Sequence, residues 1–165
     1  MSDHVIQQKK VRIFNTPFES GLRSVILLTS CYPSPLNLFR LVVLDHLSVH
    51  SADIDGPPSL HPREESRAAE ILVRRKLVQS GLALMGSRGL VERFPTPTGF
   101  RYQAGEEAGL FVDLLKSGYV KQLVERADWL RENVVPLDDV AFGDLVRARL
   151  DEWTAEFQSM EAVGG

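Results

Sequence analysis

Apolar residues recur at intervals of three and four over most of this chain, and the breaks between the runs are as informative as the runs. The stretch "NTPFESGLRSVILLTSC" reads as a helix. Asn15 or Thr16 is placed to cap it, Pro17 suits its first turn, and Glu19 faces the positive end of the peptide dipoles. Leu22, Val25, Ile26 and Leu28 carry it to about Cys31, and "YPSPLN" breaks it, because Pro33 and Pro35 cannot sit inside a helix. A second helix, roughly Asn37 to His50, is apolar nearly all round through Leu38, Leu41, Val42, Leu44, Leu47 and Val49, as a buried central helix is. A third runs from about Ser66 to Ser87, its apolar positions Ile71, Val78, Leu82 and Met85 keeping helical spacing through Gly81. Arg74, Arg75 and Lys76 are expected on its exposed part.

The period then changes. Leu90–Phe94 and Phe100–Tyr102 read as two short strands joined by the turn "PTPTG", with Gly99 able to take a positive φ. Helix resumes over "EEAGLFVDLLKSGYVKQLVERADWLREN", divided at about Gly118. A last amphipathic helix, about Asp138 to Met160, carries Phe142, Leu145, Val146, Leu150, Trp153, Phe157 and Met160. The expected fold is mainly α with a small β-hairpin, an α+β chain. Its order of three helices, hairpin and further helix is that of a winged helix-turn-helix core with C-terminal helices, and "GLVERFPTPTGFRYQAGEEAG" resembles the wing of the MarR-like group. The division read from the pattern is an N-terminal arm over 1–13, a core over 14–115 and a C-terminal helical extension over 116–165.

Composition changes this picture little. The 44% apolar and 25% charged fractions are those of an ordinary globular chain. Cys31 has no second cysteine to pair with and fits a reducing compartment. "MSDHVIQQKKVRIF" lacks the apolar centre of a signal peptide, and the longest apolar runs are too short or too charged to span a bilayer. The expected location is the cytoplasm. Charge is segregated: residues 1–104 hold 13 Lys and Arg against 9 Asp and Glu, whereas residues 105–165 hold 6 against 13. A basic body with an acidic end suggests nucleic acid at one end and protein at the other, or simply a solvated surface.

The stretch "HSADIDGPPSLHPREES", His50 to Ser66, collects residue types that chemistry uses. His46 and His50 share a helix face at a spacing that binds zinc, and Asp53, Asp55 and His61 lie nearby. The metalloprotease pattern, however, needs Glu directly after the first His, and Leu47 stands there. The competing expectation is that one histidine faces the core edge and the other ends the helix. Ser59, His61 and Asp55 suggest a hydrolase triad, but no nucleophile elbow leads into the loop, and adjacency in a proline-rich segment does not make three groups converge. Cys31 has no evident activating partner. "GLALMGSRG" lacks the Lys-Ser/Thr of a phosphate loop. The reading therefore assigns no catalytic residue, no metal and no cofactor. Arg74, Arg75, Lys76, Arg88, Arg93 and Arg101 are candidate contacts to nucleic acid or to a partner, because the third helix and the wing touch DNA in winged domains.

Three segments, "FNTPFESGLRSVILL", "LNLFRLVVLDHLSVHSADIDGPPSLHP" and "ILVRRKLVQSGLALMGSRGLVER", resemble the middle component of bacterial ABC-three-component systems, the Lamassu-like anti-phage defence operons. The resemblance covers about Phe14 to Leu115. It implies a winged-helix, non-enzymatic adaptor that couples an SMC- or RecN-like ABC ATPase, which senses foreign DNA, to an effector, often a nuclease. A MarR-like DNA-binding regulator is the alternative. Beside this, the connection between the second and third helices is several times longer than the turn of a helix-turn-helix, and Pro57, Pro58 and Pro62 stiffen it. A loop of this length is expected to dock on something. His50, Asp53, Gly56, Pro57, Pro58, Ser59, Leu60, His61 and Pro62 are therefore the expected partner-binding residues.

Overall fold

A computed structural model describes residues 16–62 and 67–149 of the chain. The first helix, α1 (Pro17–Cys31), starts where its capping residues place it: the Thr16 hydroxyl accepts from the Glu19 N–H at 3.2 Å. It is buried on every face from Ser20 to Leu28 and is thus as central as the second helix. A two-residue strand, β1 (Leu36–Asn37), follows. No pattern announces it, since two residues show no alternation. α2 (Leu38–Val49) is capped by Asn37, whose side chain accepts from the Arg40 N–H at 2.8 Å, and it ends at His50. A 3-10 turn (Ser51–Ile54) opens the long connection to α3 (Arg67–Ser87).

α1 and α3 cross at two glycines. A Cβ on Gly81 would sit 2.5 Å from the Gly21 nitrogen and 2.8 Å from the Pro17 carbonyl oxygen, so the backbones touch. Gly81 is therefore a packing residue, not merely a tolerated one. The hairpin strands β2 (Val91–Thr96) and β3 (Gly99–Ala104) pair in the register Val91 to Ala104 and Thr96 to Gly99, with Gly99 at φ 123°. β1 adds to the other side of β3, pairing Leu36 with Tyr102. The order β1-β3-β2 leaves β2 at an edge, which is why Pro95 is tolerated there.

α4 (Ala108–Asp113) and α5 (Gly118–Asn133) are separated as the glycine suggests, with Ser117 capping α5. A last described helix, α6, covers 139–149; the expected continuation to Met160, like the N-terminal arm over 1–13, lies outside the described residues. The molecule is mainly helical with a small antiparallel sheet, an α+β chain. One apolar core runs through it without a break at Leu115: Val120, Leu123, Ala127, Leu130, Phe142 and Val146 join Val25, Leu28, Leu41 and Leu44 in a single cluster.

Candidate functional site

The interior holds a seam of charged and polar side chains beneath the α2–α3 connection. Asp45 lies in the apolar run of α2 and is fully buried. Arg23 of α1 donates to it from Nε at 2.8 Å and from Nη2 at 3.4 Å, and Arg74 of α3 donates from Nη1 at 2.5 Å. Burial alone pushes the Asp45 carboxyl up, but the two guanidiniums outweigh it and hold the group below its usual range. Arg74 is therefore not on the exposed part of the third helix: it is 4% exposed and turns inward because a buried carboxylate needs a partner. The expectation that it lies on the exposed part of that helix, open to nucleic acid or a partner, is corrected.

Next to this triad stand three histidines. His46 is fully buried and donates from Nε2 to Asp53 at 3.0 Å. His50 ends α2 with its N–H on the His46 carbonyl. The rings of His46 and His50 are 4.6 Å apart, those of His50 and His61 6.1 Å. His61 in turn shares a 2.6 Å hydrogen bond with the hydroxyl of Tyr119 on α5. Burial, then the charge of Arg23, the neighbouring His50 and Arg74, pull the His61 imidazole down to about 4 against the opposing pull of Asp45, so it is neutral near pH 7. Burial raises the Tyr119 phenol. The two expectations for His46 and His50, core edge and helix end, are both met. Among the described residues no group of three His, Cys, Asp or Glu is arranged to hold a metal ion.

The residues of the imagined hydrolase triad point to different partners. The Ser59 hydroxyl accepts from the Ala52 N–H at 3.1 Å, His61 meets Tyr119, and Asp55 pairs with Arg149 at 3.4 Å. Ser59 and Ser51 close the loop on itself, the latter by donating to the Pro57 carbonyl at 2.8 Å.

The loop packs against this chain's own α5. Arg126 donates to the Pro58 carbonyl from Nε at 3.2 Å and from Nη2 at 2.9 Å. Gly56 lies against the Trp129 ring so closely that a Cβ would come within 2.8 Å of it. The N–H groups of Leu60 and His61 both bond the Val49 carbonyl. Of the nine residues expected to meet a partner, His50 is buried and so unavailable. Asp53, Gly56, Pro57, Ser59, Leu60 and His61 are half-buried, and Pro58 and Pro62 are exposed. Of the basic set, Arg75, Lys76, Arg88 and Arg93 are exposed and Arg101 is half-buried. Arg93 and Arg101 lie on opposite faces of the hairpin, the former with its guanidinium 4.3 Å over the Phe100 ring.

Compared with known sequences, residues 13–156 match the sequence model of the ABC-three component (ABC-3C) system Middle Component 2. The chain belongs to that family. No curated protein and no solved structure matches it. The matched span runs past Leu115 through α5 and α6, so this middle component includes the helices that complete its core. No described helix is long and apolar enough to cross a membrane.

Sequence reasoning passed over four residues that organise this middle component: Arg23, Arg40, Tyr119 and Arg126. Arg40 of α2 is nearly buried and donates to the carbonyls of Val135 at 3.1 Å and Leu137 at 2.7 Å. It also pairs with Asp139 and stacks 4.5 Å over Phe142, tying α6 to α2. A signal for two of the four was present, and for the Asp45 that Arg23 pairs with: Arg23 in "GLRSVILL", Arg40 in "LFRLVV" and Asp45 in "LVVLDHL" are charges inside apolar runs. Such charges are buried only with partners. Cys31 is buried, and its thiol is raised by that burial, with Arg131 lowering and Asp128 raising it further.

Proposed function

We propose that this chain is a non-enzymatic adaptor of an anti-phage ABC-three-component system of the Lamassu-like kind. It would couple an SMC- or RecN-like ABC ATPase that senses foreign DNA to an effector such as a nuclease. Membership of the middle-component family supports a role among other components. The observation that carries the non-enzymatic part is how the chemically capable side chains are used. Asp45, His46, Asp53, His61 and Tyr119 bond to one another and to Arg23 and Arg74 in the interior, where they fix α1, α2, α3, the loop and α5 together. The exposed Pro58 and Pro62 and the outer face of α3 are among the surfaces on offer to partners. Co-expression with the ABC ATPase gene encoded beside it is expected to give a complex that survives gel filtration. Elution of the two proteins as separate species would overturn the reading.

The exposed Arg75, Lys76, Arg88 and Arg93 favour one second reading, a winged-helix DNA-binding regulator acting through α3 and the β2–β3 wing. It predicts a homodimer with sequence-specific duplex binding that weakens steeply with salt. Unchanged DNA affinity in a variant lacking Arg75, Lys76 and Arg93 would count against it.

A further inference from the structure

α3 carries two apolar stripes. Val78, Gly81, Leu82 and Met85 face the core. Val73, Leu77, Ser80 and Leu84 form a second stripe at intervals of four, three and four, displaced around the helix from the first. Val73 is 73% exposed, Ser80 is exposed, and Leu77 and Leu84 are half-buried. Val73, Lys76, Leu77 and Ser80 line a shallow depression on this face. Residues 73–88 contain Arg74, Arg75, Lys76 and Arg88 and no carboxylate. Arg74 is engaged with Asp45 and Arg75 projects from the far side of the helix, two positions along from Val73, so the charge beside the stripe is Lys76, at the edge of the depression itself.

We propose that this stripe of α3 seats an amphipathic helix with acidic flanks, contributed by another component of the same three-component system. The inference rests on the adaptor reading above. Anchors at spacings of three and four are what a helix laid along another helix presents, and Ser80 in the middle of the stripe lets a partner backbone approach. The positive Lys76 at the edge of the depression favours acidic flanks. Val73, Leu77 and Leu84 offer no donor to phosphate or base edges, so the stripe itself suits an apolar partner better than duplex DNA.

The test places the photo-crosslinker p-benzoylphenylalanine at Val73 in the full complex, co-expressed with the other two genes of the system, and maps the crosslinked peptide by mass spectrometry. The expected product joins position 73 to a segment of another component in which apolar residues at three and four spacing alternate with Asp and Glu. Val73→Glu, whose side chain faces solvent and should leave thermal unfolding unchanged, is expected to lower the co-purified partner about tenfold or more, while Arg93→Ala with Arg101→Ala leaves it unaltered. Crosslinks to DNA, to a second copy, to residues 150–165 of this chain, or none in a complex that forms would overturn the inference and leave the adaptor reading standing. Failure of the wild-type complex to form would overturn both.

Discussion

Asp45 balances two guanidiniums in the interior, and this one residue links α1, α2 and α3. Removing its charge leaves Arg23 and Arg74 buried without their anion. Asp45→Asn is expected to cost about 3–5 kcal/mol, read as a lowered urea midpoint. Arg74→Ala should destabilise for the same reason, whereas Arg75→Ala, at an exposed neighbour, should shift the midpoint very little. His61 sets a pH dependence of definite sign. Its folded value of about 4 lies below the ordinary 6.5, so between those limits the unfolded chain binds a proton that the folded chain refuses. Stability should fall as pH drops from 6.5 to about 4. A further loss should begin as pH falls below about 3.8, where the unfolded chain protonates Asp45 while the folded chain, its carboxyl held low by two arginines, does not. The difference between wild type and His61→Asn in urea midpoint across this range isolates the first limb. A flat difference would remove His61 as its source.

At the scale of elements, Gly81 and Gly86 lie on the same helix and should respond to alanine with opposite sign. At Gly81 the new Cβ meets the backbone of α1, so the helices must separate. A loss of about 1–3 kcal/mol is expected, partly offset by helix propensity. At Gly86 the nearest atom is the Val91 carbonyl oxygen at 3.7 Å, so Gly86→Ala should be neutral or stabilising by up to about 1 kcal/mol. Thermal unfolding of the two variants decides it. The elements themselves were largely legible. Capping by Thr16, the three- and four-residue apolar spacing, and the glycine in the hairpin turn are local properties that tertiary contacts did not override. β1 was not, because its two residues become a strand only by pairing with β3. The seat of the loop was not either: nothing near Pro58 in the chain points to Arg126, 68 residues away.

For the whole molecule, the apolar core spans the division at Leu115. Leu123, Ala127 and Leu130 are almost fully buried against the earlier helices. A fragment ending at residue 115 would expose that surface and is expected to lack a cooperative thermal transition, while the full chain shows one. Arg40→Met should lower the melting temperature and speed amide exchange over 139–149 more than over α1, because it releases α6 from α2.

Taken by itself, the sequence determined the helix-rich α+β class, the order of the helices, the hairpin and the resemblance to an ABC-three-component middle component that the family comparison bore out. These are written in spacing, caps and turn residues, which act over a few positions. Only the tertiary structure decided which charges face inward. Arg74, Arg75 and Lys76 are indistinguishable as letters. A helix buries one face, and the rotation of α3 against Asp45 took Arg74 into the core and left its two neighbours in water. The same packing turned the loop from a free surface into the joint that fastens α2 to α5, since its carbonyls and His61 find their partners on a helix that the chain supplies much later.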